Sequence, residues 1–261
     1  MQKNLPLSRR KDVHQFSVFV ELFLDSLDLY LKRLSLVALF IIPLTISYLL
    51  LLIMRLDVFT SFGSLMLRYE DITDINIITF LFIIGLISVT AFLHSFLTTG
   101  ITLIAVHLRT GTKYALTKLQ KDFTHFLFKI FSVKLFLYLL NISAFVIGRI
   151  FPLSHIINIL INMSFTFVPQ SIIIEDVKPF TALKHSLKFI KNNLKLATYY
   201  FVTLLILYLL QELFLLIPIK FAYEFLTLAF NVVFILPFSE ILASFLYMEK
   251  YTIAAKKTHL K

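Results

Sequence analysis

Residues 77–106 read IITFLFIIGLISVTAFLHSFLTTGITLIAV, and their only ionisable side chain is His94. A helix needs about 20 consecutive apolar residues to cross the hydrocarbon core of a bilayer. This stretch therefore predicts a transmembrane helix, and similar windows lie on either side of it. The six predicted spans are 34–54, 77–106, 135–150, 153–174, 196–218 and 221–248.

The composition of the 261 residues excludes other classes of protein. Hydrophobic residues make up 59% of the chain and charged residues 15%, whereas soluble domains have about 45–50% and 25%. The 29 Phe exclude a disordered chain, and the absence of Cys excludes a disulfide scaffold. The sequence predicts an all-α polytopic integral membrane protein that forms a single membrane domain, residues 1–261.

Positive charges are concentrated on one side of the predicted membrane. Of the 25 Lys and Arg residues, 21 lie before the first span, between the second and third, between the fourth and fifth, or after the sixth. Cytoplasmic segments of membrane proteins carry such an excess. We therefore expect both termini in the cytoplasm and a location in a plasma or inner membrane.

Three of these cytoplasmic segments have apolar residues at helical spacing, within residues 20–34, 116–130 and 180–194. The spacing predicts three amphipathic helices on the cytoplasmic face, each followed by a pair of spans. The chain is accordingly predicted to be a threefold repeat, with units near 12–108, 109–174 and 175–261.

The polar faces of these predicted helices differ in charge. The first is acidic, with Glu21, Asp25 and Asp28, and the other two are basic. The basic faces carry Lys118, Lys121, His125 and Lys129, and Lys184, Lys188, Lys191 and Lys195. Because cationic amphipathic helices are attracted to anionic lipids, we expect the bilayer and the anionic headgroups of its inner face as partners. A second hypothesis is that the acidic face docks against a basic one.

Two spans contain a proline in similar surroundings. Residues 165–171 read FTFVPQS and residues 233–239 read VFILPFS. Because proline removes a backbone donor, we expect Pro169 and Pro237 to bend spans four and six near their inner ends.

A few polar residues fall within the predicted spans and are the candidate functional residues. They are His94, Asn141, Asn158, Asn162, Asn231 and Glu240. One interpretation is a polar pathway for an ion, a proton or a lipid headgroup. The other is hydrogen bonding between helices, at about 0.6–2 kcal/mol per bond. We expect no charged pair at the membrane midplane, because Glu240 can reach polar surroundings at its helix end and Lys134 is assigned to the cytoplasmic segment.

Searches for catalytic motifs find none in the sequence. HExxH, GxSxG and a Walker-type glycine loop are missing, and the chain has 5 Gly. We therefore expect no enzyme activity, no cofactor and no metal. Nucleic-acid binding is not expected either, because the membrane surface accounts for each basic cluster.

Residues 169–194, PQSIIIEDVKPFTALKHSLKFIKNNL, resemble a family of six-span membrane domains typified by the membrane domain of glycerophosphoryl diester phosphodiesterases. In this family, a span ends in an acidic residue, which is followed by a pair of small residues and then by two lysines. The residues that match this pattern are Glu175, Ala182, Ser186, Lys188 and Lys191. The glycine that often follows the acidic residue is missing, and residues 177–179 stand in its place. The resemblance implies a membrane module without catalytic residues, because the phosphodiesterase activity belongs to a separate soluble domain.

The same motif has a physical interpretation. Glu175 and Asp176 are expected to meet the positive end of the next helix, in which Pro179 suits the first turn. Ala182 and Ser186, four residues apart, would let another helix approach closely.

These features favour a non-enzymatic multi-pass membrane protein that organises the membrane or envelope or serves phospholipid homeostasis, with a protein partner or a second copy. The alternative is a small transporter or channel that uses the polar midplane of His94, Asn141, Asn162 and Asn231.

Overall fold

A computed structural model describes residues 7–53, 57–61, 64–68, 77–111, 116–148 and 154–258. Ten α-helices lie in these ranges: α1 (Leu7–Lys32), α2 (Leu34–Ile53), α3 (Ile77–Thr110), α4 (Leu116–Gly148), α5 (Ser154–Phe165), α6 (Val168–Glu175), α7 (Pro179–Asn192), α8 (Leu194–Glu212), α9 (Lys220–Phe230) and α10 (Leu236–Thr258). A 3-10 turn, Leu213–Leu216, follows α8, and a π-helical turn, Asn231–Ile235, joins α9 to α10. The side chain of Lys118 lies outside the described residues.

Among the described residues, five helical segments are long and apolar enough to cross a membrane. They are Ile87–Thr110, Gln120–Asn141, Ile156–Glu175, Leu194–Glu212 and Phe225–Glu249. A sixth is present if the pair Gln15–Lys32 and Leu34–Ile46, which meet at 80°, counts as one span. The helical fold is as predicted, with five to six candidate spans.

The loop predicted between the first two spans contains a short antiparallel hairpin, which the all-α prediction did not include. The hairpin consists of strands β1 (Asp57–Ser61) and β2 (Ser64–Arg68). Asp57 is paired with Arg68 at one end, and Ser61 is paired with Ser64 at the turn. The rest of the regular structure in the described ranges is helical.

Helix α4 is continuous where the sequence predicts an amphipathic helix and then a separate span. The predicted boundary, between residues 130 and 135, contains no Gly or Pro to end a helix. The corresponding boundaries elsewhere are interrupted at Arg33 and Asn193. Lys134 consequently lies within a helical segment that is long and apolar enough to cross a membrane, whereas the sequence analysis assigned it to a cytoplasmic segment before the span.

The predicted effect of the prolines agrees with the structure. Span four is divided into α5 and α6, and Pro169 lies in the first turn of α6. In span six the π-helical turn comes directly before Pro237. The freed carbonyl of Val233, four residues before Pro237, accepts a hydrogen bond from the Tyr30 hydroxyl of α1 at 2.8 Å.

The centre of the molecule is formed by α3 and α10, which pack against each other. Helix α3 also contacts α2, α4 and α6. Gly100 of α3 lies directly against the ring of Phe40, so a Cβ at this position has no room. Large apolar side chains point outward on several helices, among them Leu39, Leu139, Leu160, Leu205 and Leu209. An apolar exterior of this extent fits a lipid environment.

Candidate functional site

Buried polar side chains line the interior faces of four helical segments. In α3, Thr90, His94, Thr98 and Thr102 are spaced four apart and thus share a face. The other buried or half-buried positions are Lys134, Tyr138 and Asn141 in α4, Asn158 and Asn162 in α5, Thr166 between α5 and α6, Gln170 in α6, and Ser239, Glu240 and Ser244 in α10. We call this set the polar interior.

Glu240 is the centre of the polar interior. Its Oε1 accepts a hydrogen bond from the Thr98 hydroxyl at 3.0 Å, and its Oε2 accepts one from the Gln170 amide at 2.9 Å. The Lys134 ammonium lies 3.9 Å from Oε1, and the side chains of this ion pair are 9% and 8% exposed. Three helices thus supply partners to one carboxylate of a fourth.

The depth of this ion pair follows from helix geometry. Tyr247 of α10 contacts Glu175, the last residue of α6. Glu240 lies about two turns earlier, which places it about 10 Å farther into the helix bundle. The expectation that Glu240 reaches polar surroundings at its helix end is therefore wrong, because a buried lysine of α4 meets it.

Two hydrogen-bonded pairs extend the polar interior. Nδ1 of His94 lies 2.5 Å from the Tyr138 hydroxyl, and the two rings stack. The Asn141 amide donates to Oδ1 of Asn162 at 3.1 Å. Both pairs join different helices, and Asn141 lies two turns from Lys134 on the same helix.

Asn231 belongs to a separate place in the fold. Its amide donates to Oε1 of Gln211 at 3.0 Å, at the π-helical turn and the end of α8. The structure therefore does not bring all the predicted midplane residues together: Asn231 is apart from His94, Asn141 and Asn162.

A small cavity of about 30 Å³ lies beside the ion pair. Its polar lining includes Lys134, Tyr138, Asn162, Thr166, Tyr200 and Glu240. This volume holds one or two water molecules. An organic solute or a lipid headgroup does not fit.

Several polar atoms of the polar interior have no hydrogen-bond partner among the described residues. They include Nε2 of His94, Oδ1 of Asn141 and of Asn158, Nδ2 of Asn162, and Oε1 of Gln170. Buried groups of this kind in proteins are usually satisfied by water. The polar interior thus has the chemistry of a hydrated region.

The small residues of the 169–194 motif pack as predicted. Ala182 and Ser186 are fully buried. The Ser186 hydroxyl donates to the carbonyl of Ser164 at 2.8 Å and accepts from the backbone N–H of Phe167 at 3.3 Å. Ser186 therefore bridges the interruption between α5 and α6, while Lys188 and Lys191 are exposed.

The acidic residues of the motif do not cap α7 as predicted. Glu175 ends α6, accepts a hydrogen bond from the Tyr247 hydroxyl, and lies 2.7 Å from Nδ1 of His185. The first turn of α7 contains no acidic residue, although it begins with Pro179 as expected. Three residues separate Glu175 from the start of α7, and its carboxylate contacts His185, the seventh residue of that helix.

Asp176 adopts a left-handed conformation, with φ 47°, which Asp tolerates better than most residues. Its Oδ1 lies 2.7 Å from the Lys129 ammonium and 3.3 Å from Nε2 of His125. The hydrogen bond from Lys129, with a smaller contribution from His125, holds the pKa of Asp176 below its ordinary value of 3.8. On the acidic face of α1, Asp28 pairs with Lys32 of the same helix.

Sequence reasoning missed the members of the polar interior that contact Glu240 or His94, namely Thr98, Lys134, Tyr138 and Gln170. The four-residue spacing of polar residues around His94 was a usable signal for Thr98. For Lys134, the signal was its position two turns from Asn141, on the same helical face.

Comparison with protein-family models, with curated proteins and with solved structures gives no match. The resemblance to the membrane domain of glycerophosphoryl diester phosphodiesterases therefore stays a prediction. Among the described residues, no three His, Asp or Glu side chains converge as metal ligands.

Proposed function

We propose that the chain is a non-enzymatic membrane protein with six spans, three cytoplasmic-face amphipathic helices and both termini in the cytoplasm. It binds anionic lipid headgroups on the inner face of a plasma or inner membrane, and it serves membrane organisation or phospholipid homeostasis. The observation that carries the proposal is the two-sided surface of α7.

One side of α7 is fixed to the candidate spans. Ala182, Ser186 and Phe189 are buried, and the Phe189 ring packs on Phe167 and Tyr247. This anchoring holds the opposite side of the helix in one orientation.

The opposite side of α7 combines apolar and cationic side chains. Phe180 is 74% exposed and Leu187 is 47% exposed, and Lys184, Lys188 and Lys191 are exposed beside them. Each cation near an anionic leaflet contributes about 1 kcal/mol of attraction. A fixed helix with this surface is suited to the headgroup layer.

The test measures retention of anionic lipid by the purified protein. We expect the variant Lys184→Gln/Lys188→Gln/Lys191→Gln to bind fluorescent phosphatidylglycerol about 100-fold more weakly than wild type, because about 3 kcal/mol of attraction is removed. Phosphatidylcholine binding should not change. The control is Lys32→Gln, which removes a cation already paired with Asp28. Equal phosphatidylglycerol retention by the triple variant and wild type contradicts the proposal.

The second candidate function is a small transporter or channel. It is favoured by the buried ion pair of Lys134 and Glu240 among the polar faces of α3, α4, α6 and α10. The cavity volume limits its substrate to a proton or another very small species. The test is flux of protons into liposomes that contain the protein and a trapped pH dye, under an imposed membrane potential.

A further inference from the structure

We propose that Glu240 is a proton-binding site inside the membrane, with Lys134 as its counter-charge and the neighbouring cavity as its water-filled access. This inference goes beyond the lipid-binding function. It gives the second candidate function a substrate class but does not depend on transport.

The surroundings of Glu240 allow both protonation states. Thr98 and Gln170 are neutral hydrogen-bonding partners of the two carboxylate oxygens. A hydroxyl group both donates and accepts, so the Thr98 hydroxyl can turn and accept from a protonated carboxyl group. Thr98 and Gln170 can therefore form hydrogen bonds with both the carboxylate and the protonated form of Glu240.

The spacing of the ion pair leaves room for exchange. At 3.9 Å, Nζ of Lys134 is farther from Oε1 than a hydrogen bond of about 2.7–3.2 Å. Both side chains line the cavity, so water in it contacts the carboxylate and the ammonium together. Proton uptake then does not require the two charged groups to separate first.

Groups that can relay a proton line the same cavity. Tyr138 lines the cavity and lies 2.5 Å from Nδ1 of His94. Asn162 also lines it, and its Nδ2 has no partner among the described residues. Hydroxyl, imidazole and water groups in hydrogen-bond contact can pass protons between them.

A proton fits this site better than a metal cation. Lys134 already supplies the positive charge that the carboxylate needs, and a second cation would be repelled by it. Cation sites also require several oxygen ligands around the ion, whereas Thr98 and Gln170 direct donors at the carboxylate.

The reaction is a simple acid–base step. Hydronium in the cavity gives its proton to a carboxylate oxygen of Glu240, an O–H bond forms, and water remains. The site changes from zero net charge to +1, carried by Lys134. The other titratable groups around the pair are Tyr138 of α4, His94 of α3 and Tyr200 of α8.

The experiment is an infrared titration of the wild-type protein in phosphatidylcholine liposomes containing choline chloride. The chain has 15 Asp and Glu residues, so the band of Glu240 is read from the difference between wild type and Glu240→Gln, in which the other carboxyl groups cancel. We expect this difference to contain the carbonyl band of a protonated carboxylic acid that grows as the pH is lowered. In Lys134→Met the band should persist to higher pH, because no opposite charge favours the carboxylate. Asn231→Ala breaks a buried amide pair elsewhere and should leave the band unchanged.

Two results overturn the proposal: no titrating band in the difference between wild type and a folded Glu240→Gln variant, or a difference band set by replacing choline with Na⁺ rather than by pH. If Glu240→Gln does not fold, Glu240→Asp should move the band, and an unmoved band overturns the assignment. Proton flux is measured separately. A titrating site without flux contradicts only the transporter function.

Discussion

At the residue scale, the central feature is a charge pair enclosed by protein. Burying two charges is costly, and their mutual attraction offsets this cost only when hydrogen bonds also satisfy the remaining atoms. Glu240 meets this condition through Thr98 and Gln170. Removing one charge should therefore be worse than removing both.

Glu240→Leu is expected to lower the free energy of unfolding by about 3–5 kcal/mol, because it leaves the Lys134 ammonium buried without its counter-charge. Adding Lys134→Met should recover most of this loss. Unfolding in mixed detergent micelles measures both effects.

The matched control is Glu249→Gln, on the same helix, which breaks the more exposed pair with Arg109 at 3.5 Å. We expect a loss of about 1 kcal/mol or less. If the double variant is no more stable than Glu240→Leu alone, Lys134 and Glu240 are not energetically coupled.

Asp176 gives a pH-dependent prediction. Its pKa is lowered by the hydrogen bond from Lys129, so this contact stabilises the protein above the ordinary value of 3.8 and is lost as the pH falls through the lower folded value. Asp176→Asn, which also tolerates the left-handed conformation, should lower Tm at neutral pH. The difference from wild type should shrink to zero between about pH 5 and pH 2. If the difference in Tm between Asp176→Asn and wild type does not depend on pH, it does not come from the contact between Lys129 and the Asp176 carboxylate.

At the element scale, helices α1 and α7 each contribute a side-chain hydroxyl that forms hydrogen bonds with the backbone of an interrupted span. Tyr30 donates to Val233, and Ser186 bridges Ser164 and Phe167. Backbone groups freed inside a membrane must find partners because lipid offers none. These hydroxyls therefore satisfy backbone groups at the interruptions beside Pro169 and Pro237.

A double-mutant cycle tests this compensation. Tyr30→Phe should cost about 1–3 kcal/mol of unfolding free energy, because the Val233 carbonyl is left without a donor. In a Pro237→Ala background the new backbone N–H can bond Val233, so Tyr30→Phe should cost much less. Ser132→Ala is the control, since this exposed hydroxyl bonds only its own helix at Lys129. If Tyr30→Phe lowers the free energy of unfolding equally in wild type and in Pro237→Ala, the Tyr30 hydroxyl does not compensate for the proline.

The sequence predicts elements better than it predicts contacts. Long apolar windows and prolines are local signals, so candidate spans and interruptions could be predicted. The Lys134 pairing could not, because it depends on α4 continuing past residue 130 and on which face of α4 meets α10. The role of Glu175 was also missed, since His185 and Tyr247 reach it only through the packing of α6, α7 and α10.

At the scale of the whole molecule, the distribution of polar and apolar side chains is compatible with a lipid environment. Apolar side chains such as Leu160 and Leu209 are exposed, whereas His94, Gln170 and Glu240 are buried. The basic surface of α7 lies near the level of Glu175 and Asp176, where the candidate span Ile156–Glu175 ends. If the proposed function is correct, this level is the cytoplasmic membrane surface.

The most direct test measures the accessibility of single introduced cysteines to a thiol reagent. The chain contains no Cys, so the introduced residue is the only thiol that can react. Ser61→Cys, between the first two predicted spans, should react with a membrane-impermeant maleimide in intact cells. Lys188→Cys, on the exposed side of α7, should react only after the membrane is permeabilised. Labelling of Lys188→Cys in intact cells, or protection of Ser61→Cys there, would contradict the account.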